Sequence, residues 1–237
     1  MRVNKQDFVR DQYRSTARLE TRVSVWRPDA QGRWPQDVAL SSLAEVNPVR
    51  LLEVGSGTGA FAARVSRELS CKVVALDSSP EMVAATKAAG VEAMLGDVQT
   101  LPFPDGSFDA AVAAWMLYHV ADLDRAVSEL ARVLRPGGRL IAITNGREHL
   151  AELWEMVDAE TFDLSFSREN GDVHLRRHFG TVERHDVETR AVFPDRRAAA
   201  SYLETLDRGE LADRLPEFVE PLVARGTPAV FVADKAG

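Results

Sequence analysis

The chain has 237 residues, 45% of them hydrophobic, so its length and composition allow a single α/β domain with a sizeable core. A formal net charge of -7 argues against non-specific binding to nucleic acid, which depends on Lys and Arg at the phosphates. The single cysteine excludes an intrachain disulfide, and no apolar run is long enough for a membrane span. Because residues 1–20 show no signal-peptide pattern, we expect a cytoplasmic protein without nucleic-acid or membrane partners.

Residues 1–46 predict a helical cover that precedes the core. Over residues 7–25, apolar and aromatic side chains recur at the spacing of an amphipathic helix. Residues 26–35 combine Pro, Asp and Gly and predict a loop, which a short helix follows.

Residues 47–145 alternate strand and helix patterns and predict the core of the domain. Helices are expected over residues 60–69, 80–89 and 122–134. Strands alternating with helices are typical of right-handed parallel crossovers, so we predict an α/β fold with a Rossmann-like, doubly wound sheet. The predicted strands of this core cover residues 49–54, 73–76, 91–95, 108–113 and 139–144.

After residue 145 the pattern loosens, and we predict an insertion after strand five. Residues 146–195 are interpreted as a cover on the substrate side, with two helices and then one strand over 181–193. Residues 196–237 are interpreted as the C-terminal part of the sheet and end in a strand over 229–233. The aromatic residues of the cover that we expect near a substrate are Trp154, Phe162, Phe166 and Phe179.

The first motif with chemical meaning is the glycine turn after the first predicted strand. Glycine permits a tight bend, and the helix that follows presents free N–H groups at its positive end. The turn alone is a weak signal because dinucleotide-binding enzymes use a similar one, and Gly55, Gly57 and Ala60 fit that spacing too. Asp77 ends the second strand about 20 residues later, where a carboxylate can accept both hydroxyls of a ribose.

Gly96-Asp97-Val98 follows the third predicted strand. A carboxylate beside a nucleoside pocket can accept a hydrogen bond from an adenine amino group. The alternative interpretation of Asp97 is an Asx turn at the end of a strand.

Together these residues form one ordered pattern: Glu53-x-Gly55-x-Gly57-x-Gly59, Asp77, Gly96-Asp97, Leu101-Pro-Phe-x-Asp105-x-x-Phe108-Asp109 and Leu134-Arg-Pro-Gly-Gly138. This pattern resembles the class I methyltransferases that depend on S-adenosylmethionine (SAM). Within this class, the pattern is similar to that of the group that includes the ubiquinone/menaquinone-biosynthesis C-methyltransferases. The flanks resemble, more loosely, bacterial small-molecule methyltransferases.

The resemblance implies a seven-stranded sheet whose last strand is antiparallel, and it implies SAM as the cofactor. The glycine turn would face the methionine half of SAM, Asp77 the ribose, Asp97 and Val98 the adenine, and Glu53 the amino group or the turn itself. The full set of expected cofactor-binding residues is Glu53, Gly55, Ser56, Gly57, Asp77, Ser78, Asp97, Val98, Ala114 and Arg22.

The acceptor is expected at the carboxyl end of strand four, where Trp115 and Tyr118 would wall its pocket. His119 is a candidate general base because an imidazole titrates near neutrality, although packing under the next helix is the alternative. Tyr13 and Arg22 on the first helix would close over SAM, and Tyr13 is a second catalytic candidate. No histidine spacing indicates a metal site.

These observations predict methyl transfer from SAM to a small organic acceptor, in secondary metabolism, by a bacterial enzyme that forms a homodimer. Two alternatives stay open at this point. A non-catalytic protein that binds SAM or a partner would keep the same pocket. An NAD-dependent oxidoreductase would keep the glycine turn and Asp77, but it would not require Gly96-Asp97 or Leu101-Pro-Phe.

Overall fold

The computed structural model describes residues 16–237, so Tyr13 lies outside the described residues and its role stays a prediction. The strands of the described part are β1 (Trp26–Arg27), β2 (Arg50–Val54), β3 (Lys72–Asp77), β4 (Glu92–Leu95), β5 (Phe108–Ala114), β6 (Leu134–Asn145), β7 (Thr181–Asp186), β8 (Thr189–Phe193), β9 (Leu222–Gly226) and β10 (Pro228–Asp234). Its α-helices are α1 (Thr16–Ser24), α2 (Pro35–Val46), α3 (Ala60–Leu69), α4 (Pro80–Ala88), α5 (Leu123–Val133), α6 (Ala151–Met156), α7 (Gly171–Leu175) and α8 (Arg196–Thr205).

Seven strands form the central sheet in the order β4-β3-β2-β5-β6-β10-β7. The pairs from β4 to β6 are parallel, and β10 is antiparallel to both β6 and β7. This topology confirms the predicted Rossmann-like sheet with an antiparallel last strand. The strand order reverses between β2 and β5, and in open α/β sheets ligands bind beyond the carboxyl ends of the strands at such a point.

The sheet is buried on both faces, which explains the apolar runs of its inner strands. Leu51 points into an apolar cluster with Leu43 of α2 and Val65 of α3. The next residue, Leu52, points into a second cluster on the other face, which includes Leu130 of α5. The helices on the two faces therefore fix where β2 ends and where the glycine turn begins.

A second, three-stranded sheet has the order β1-β8-β9, and both of its pairings are antiparallel. It shares a third apolar cluster with α6 and α8, which includes Val25, Trp154, Phe193 and Tyr202. Residues 187–227 thus form a second insertion, between β7 and β10, in addition to residues 146–180 between β6 and β7.

The prediction of one strand over residues 181–193 was wrong, because the chain leaves the central sheet after Asp186 and enters the second sheet at Thr189. Successive side chains of a strand point to opposite faces, so one continuous strand would bury residues of one parity. Val182, an even-numbered residue, is the buried one in β7, whereas odd-numbered residues are buried in β8. Of the segment 196–237, only β10 joins the central sheet. The two helices predicted over residues 150–162 and 167–179 are also shorter than expected, because only α6 and α7 form within these ranges.

Among residues 16–237, no helix is long and apolar enough to cross a bilayer.

Candidate active site

The glycine turn after β2 has a backbone that only glycine adopts without strain. Gly55 has φ of +67°, and a Cβ added there would lie 2.7 Å from the Cβ of Met116. Gly57 has φ of +56°, and an added Cβ would lie 3.3 Å from Cδ2 of Leu19 in α1. The turn is therefore closed in by the segment after β5 on one side and by α1 on the other.

Asp77 ends β3 next to this turn. Its Oδ2 accepts a hydrogen bond from the Gly57 amide at 3.0 Å, and its Oδ1 accepts one from the Ser79 amide at 3.0 Å. Only 8% of the residue is exposed, and burial raises the pKa of the Asp77 carboxyl although these amides act in the opposite direction. The carboxylate thus ties the end of β3 to the turn after β2.

Glu53 is a buried carboxyl group in β2, two residues before Gly55. The residue is 3% exposed, and its Oε2 atom has no hydrogen-bond partner. Burial, together with the nearby charge of Asp77, raises the pKa of Glu53 to about 8. A backbone hydrogen bond from Ala62 to the carboxyl group lowers this pKa in part. The Oε2 atom itself is left without a partner, and a buried carboxyl oxygen of this kind has a strong affinity for a cationic group placed at the turn.

Asp97 follows β4 and forms the Asx turn that the sequence left open as an alternative. Its Oδ1 accepts a hydrogen bond from the Gln99 amide at 2.8 Å, and the Gln99 side chain also donates to it. The Asp97 side chain is exposed, whereas Val98 is buried in the core. Leu95, which the sequence reasoning missed, is paired with Asp77 across the strands and is 57% exposed.

The other expected cofactor residues have diverse surroundings. Ser56 is buried and its Oγ lies 3.1 Å from Oγ1 of Thr86, so it ties the turn to α4. Ser78 is exposed beside Asp77. Ala114 ends β5 and packs against the core cluster under α2 and α3.

A cavity of about 280 Å³ lies next to the turn, because Leu19 of α1 lies against Gly57 and also lines the cavity. The chain has four tryptophans, and all four line this cavity. Trp154 and Phe162 therefore face the cavity as expected, but Phe166 and Phe179 are buried in the main core and were wrongly predicted to cover it. The aromatic residues of the lining are Trp26, Trp34, Trp115, Tyr118, Trp154, Phe162 and Tyr202.

Trp115 enters the cavity on a strained backbone, with φ of +53° immediately after β5. Its indole Nε1 donates a hydrogen bond to Oδ1 of Asn145, at the end of β6, over 3.1 Å. Tyr118 and His119 follow in the same wall, with ring centroids 4.5 Å apart in an edge-to-face arrangement. Strained backbone in such a wall is typical of functional sites.

His149 also lines the cavity, and the sequence reasoning missed it. Its Nδ1 accepts a hydrogen bond from the Thr227 amide at 3.3 Å, and its ring lies 5.0 Å from the ring of Trp26. Burial lowers the pKa of His149 to about 3, so the imidazole is neutral at pH 7.

Helix α1 lies against α8 at the edge of the cavity. Arg22 lines the cavity and donates a hydrogen bond to the Thr205 carbonyl oxygen, while Arg18 forms an ion pair with Asp207 at 2.8 Å. Among residues 16–237, no group of three or more His, Cys, Asp or Glu side chains is arranged to hold a metal ion.

Comparisons with known proteins agree with this geometry. A family model described as a methyltransferase domain matches residues 52–142. A ubiquinone/menaquinone-biosynthesis C-methyltransferase of Methylobacterium nodulans is 31% identical over 171 residues, which cover 68% of each chain. The chain belongs to the class I SAM-dependent methyltransferases.

One further relative and one solved structure of similar fold define how far this likeness extends. An uncharacterized methyltransferase of Mycobacterium bovis is 40% identical over 145 residues. The match with this methyltransferase covers 57% of the M. bovis protein, so the chain spans just over half of that relative's length. The crystal structure of a putative methyltransferase from Bacillus halodurans matches with a TM-score of 0.64 at 21% identity, over 84% of this chain and 98% of that one.

One structural observation, which does not depend on the family match, shows that the residues at the turn suit SAM. SAM carries a sulfonium and an ammonium group, and the buried Oε2 of Glu53 in this methyltransferase has no other partner. The left-handed backbone at Gly55 leaves no room there for a protein side chain. Glu53, Gly55, Gly57 and Asp77 are thus brought together as predicted, while Asp97 follows β4, the edge strand beside β3, and makes its hydrogen bonds to Gln99.

Replacing Gly55 by alanine is expected to destabilise this methyltransferase by about 3 kcal/mol, because backbone strain and overpacking add. The added Cβ would lie 2.7 Å from the Cβ of Met116. Gly90→Ala is the matched control, since Gly90 has φ of +83° but nothing within 4 Å of an added Cβ. Only the backbone strain remains there, about 1 kcal/mol. Equal losses in urea unfolding would contradict the steric role of Met116.

Proposed function

We propose that this methyltransferase transfers the methyl group of SAM to a small organic acceptor bound in the tryptophan-lined cavity. The observation that carries the proposal is the unpartnered, buried Oε2 of Glu53 just before the glycine turn. Leu19 contributes to both the turn and the aromatic cavity, so a ligand at the turn and a ligand in the cavity would be neighbours.

The turn residues Gly55, Ser56 and Gly57 would hold the methionine half of SAM, with Glu53 near its cationic groups. Ribose recognition would fall to Asp77 with the exposed Ser78 next to it. The adenine would lie between Asp97, Val98 and Leu95 at the tip of β4, because Leu95 presents an apolar surface opposite Asp77. Arg22 and Ala114 complete the predicted set.

A bound SAM supplies a methyl group that is already activated by the sulfonium. The protein then contributes positioning, which is worth several powers of ten in rate when the reacting groups are aligned. Trp115 and Tyr118 would hold the acceptor at the end of β5, and α1, whose Leu19 lies against Gly57 and lines the cavity, would exclude water from both. A proton leaving the acceptor would be taken up by His119 or by solvent.

Calorimetric titration tests this proposal against its alternatives. We expect SAM and its demethylated product S-adenosylhomocysteine (SAH) to bind at micromolar concentration, and NAD⁺ to show no binding. Formation of SAH with a panel of small organic acceptors then distinguishes an enzyme from a non-catalytic SAM-binding protein. Preferential binding of NAD⁺ would contradict the proposal, and so would an absence of SAM binding at millimolar concentration.

His119→Ala tests base catalysis once an acceptor is known. A positioned general base contributes about 10²–10⁴ in rate, so we expect kcat to fall about 100-fold while the SAM dissociation constant stays unchanged. His119 lines the cavity beside Tyr118. Turnover at the wild-type rate would instead assign His119 a packing role against Tyr118.

A role in secondary metabolism, a cytoplasmic location and a homodimeric state stay predictions. Light scattering of the purified protein measures the oligomeric state directly, and the genes adjacent to the coding sequence would narrow the pathway.

A further inference from the structure

The tryptophan-lined cavity has a chemical character of its own, beyond its size. The described residues of its lining include Arg22 and Arg147 but no Asp or Glu. Flat aromatic walls favour a planar aromatic ligand, because offset stacking and edge-to-face contacts add to the burial of apolar area. A cavity of about 280 Å³ suits a molecule of one or two rings.

Asn145 presents a hydrogen-bond donor to this cavity in a fixed orientation. The indole Nε1 of Trp115 can only donate, so the Asn145 oxygen must face Trp115 and the Nδ2 amino group must face the other way. Within residues 16–237, no group accepts a hydrogen bond from this Nδ2. The Nδ2 atom is not fully buried, so it is open to the cavity that Asn145 lines.

His149 presents a second donor by the same logic. Its Nδ1 accepts a hydrogen bond from the Thr227 amide, so the neutral ring carries its proton on Nε2. This N–H has no acceptor in the described part of the chain, and it too is open to the cavity. Asn145 pairs with Pro228 across β6 and β10, next to Thr227, so both donors belong to one corner of the cavity.

We propose that the acceptor is a planar aromatic compound with a neutral or anionic oxygen substituent, such as a phenol, an enol or an aromatic carboxylate. Asn145 Nδ2 and His149 Nε2 bind this oxygen, and the aromatic walls bind the ring. This inference rests on the proposed function for its link to methyl transfer. Asn145 and His149 select the substrate; they are not assigned a step in the chemistry.

The charge preference follows from the groups around the corner. An ammonium ion in this corner would face two N–H donors, and the described lining, which also contains Arg22 and Arg147, holds no carboxylate to compensate its charge. Four acidic residues line a neighbouring, more open cleft that shares Trp154 and Phe162 with the cavity, so binding of a cation there is the alternative to test. These residues are Glu148, Glu155, Glu160 and Asp163.

Three ligands with one ring system separate the two cases: 3-hydroxy-2-naphthoate, 2-naphthol and protonated 2-naphthylmethylamine. Each is titrated by calorimetry into the full chain saturated with SAH. We expect the hydroxynaphthoate to bind about tenfold more tightly than the amine, as one charge-assisted hydrogen bond provides. Naphthol should fall between them. An amine that binds as tightly as the hydroxynaphthoate overturns the charge preference, and failure of all three ligands overturns the aromatic class.

Asn145→Asp is the decisive variant. It keeps an oxygen for the Trp115 indole but replaces the Nδ2 donor by a carboxylate oxygen, so the preference between hydroxynaphthoate and amine should invert. Asn47→Asp makes the same charge change at an exposed position outside the lining and should leave the preference as it is. An unchanged preference in Asn145→Asp overturns the assignment.

His149→Phe keeps a ring beside Trp26 but removes the second donor. We expect it to weaken hydroxynaphthoate binding about tenfold and to leave the amine unaffected. The SAH titration of the wild-type protein and of each variant is a separate readout. A wild-type protein that does not bind SAH would contradict the proposed function, whereas normal SAH binding with the wrong ligand preference would contradict only this inference.

Discussion

Asp77→Ala is expected to raise the SAM dissociation constant about 100-fold or more, because hydrogen bonds to a charged group contribute about 1.5–3 kcal/mol each and a ribose offers two hydroxyls. The carboxylate is well placed for this role at the end of β3, where its two oxygens already accept amide hydrogens from Gly57 and Ser79. Calorimetric titration with SAM and with SAH measures the loss.

A matched variant separates this loss of binding from a loss of folding. Asp195 caps α8 by accepting the Ala198 amide at 2.8 Å, outside the cavity and the turn. Asp195→Ala should therefore lower the melting temperature without changing the SAM dissociation constant. If Asp77→Ala is too unstable to purify, Asp77→Asn keeps an acceptor oxygen at this position and provides the measurement. Unchanged SAM affinity in a folded Asp77 variant would remove Asp77 from the binding site.

The second large effect expected is a dependence of SAM binding on pH, controlled by Glu53. The pKa of Glu53 is raised to about 8, so the carboxyl group is mostly protonated at pH 7 before a cation arrives. Binding a cation favours the ionised form and releases a proton. The affinity for SAM should therefore rise up to about tenfold per pH unit towards pH 8 and level off above it.

Glu53→Gln should make SAM binding weaker and nearly independent of pH over the same range. Titrations in buffers with different ionisation enthalpies measure the released proton directly. Glu217→Gln is the control, since the Glu217 side chain is 90% exposed. A wild-type affinity that stays constant from pH 6 to pH 8 would show that Glu53 does not sense the ligand.

In the absence of ligand, ionisation of the buried Glu53 carboxyl group lowers the free energy of unfolding. The pKa of Glu53 in the folded state lies above the value of 4.5 for an unfolded chain. The contribution of this carboxyl group to the free energy of unfolding is therefore fully present below pH 4.5 and is lost as the pH rises through about 8. Glu53→Gln should therefore increase the free energy of unfolding at pH 8 by about 1 kcal/mol or more, since one pKa unit corresponds to about 1.4 kcal/mol. Urea unfolding at pH 5 and pH 8 checks the sign.

The parts of the site that could be predicted from sequence are local in the chain. Glu53, Gly55 and Gly57 belong to one strand and its turn, and Asp77 ends the neighbouring strand at a spacing that parallel crossovers repeat. Strand and turn patterns of this kind depend on a few adjacent residues, so they were recognisable without any knowledge of tertiary contacts.

The parts that could not be predicted depend on partners far away in the chain. His149 is oriented by Thr227, 78 residues later, and nothing near His149 in the sequence indicates that partner. The second sheet relies on β1, which has only two residues and pairs with Ala191 and Arg190. Short strands lack the periodicity that sequence reasoning needs, and so residues 26–35 were interpreted as a loop.

The position of the four tryptophans has a consequence for optical work on this protein. Since all four indoles line one cavity, tryptophan fluorescence reports the surroundings of that cavity rather than the distant edges of the central sheet. A fluorescence change on heating would precede the loss of far-ultraviolet circular dichroism wherever the cavity loosens before the central sheet unfolds. Comparing the two signals therefore measures how independently the substrate side of the molecule opens.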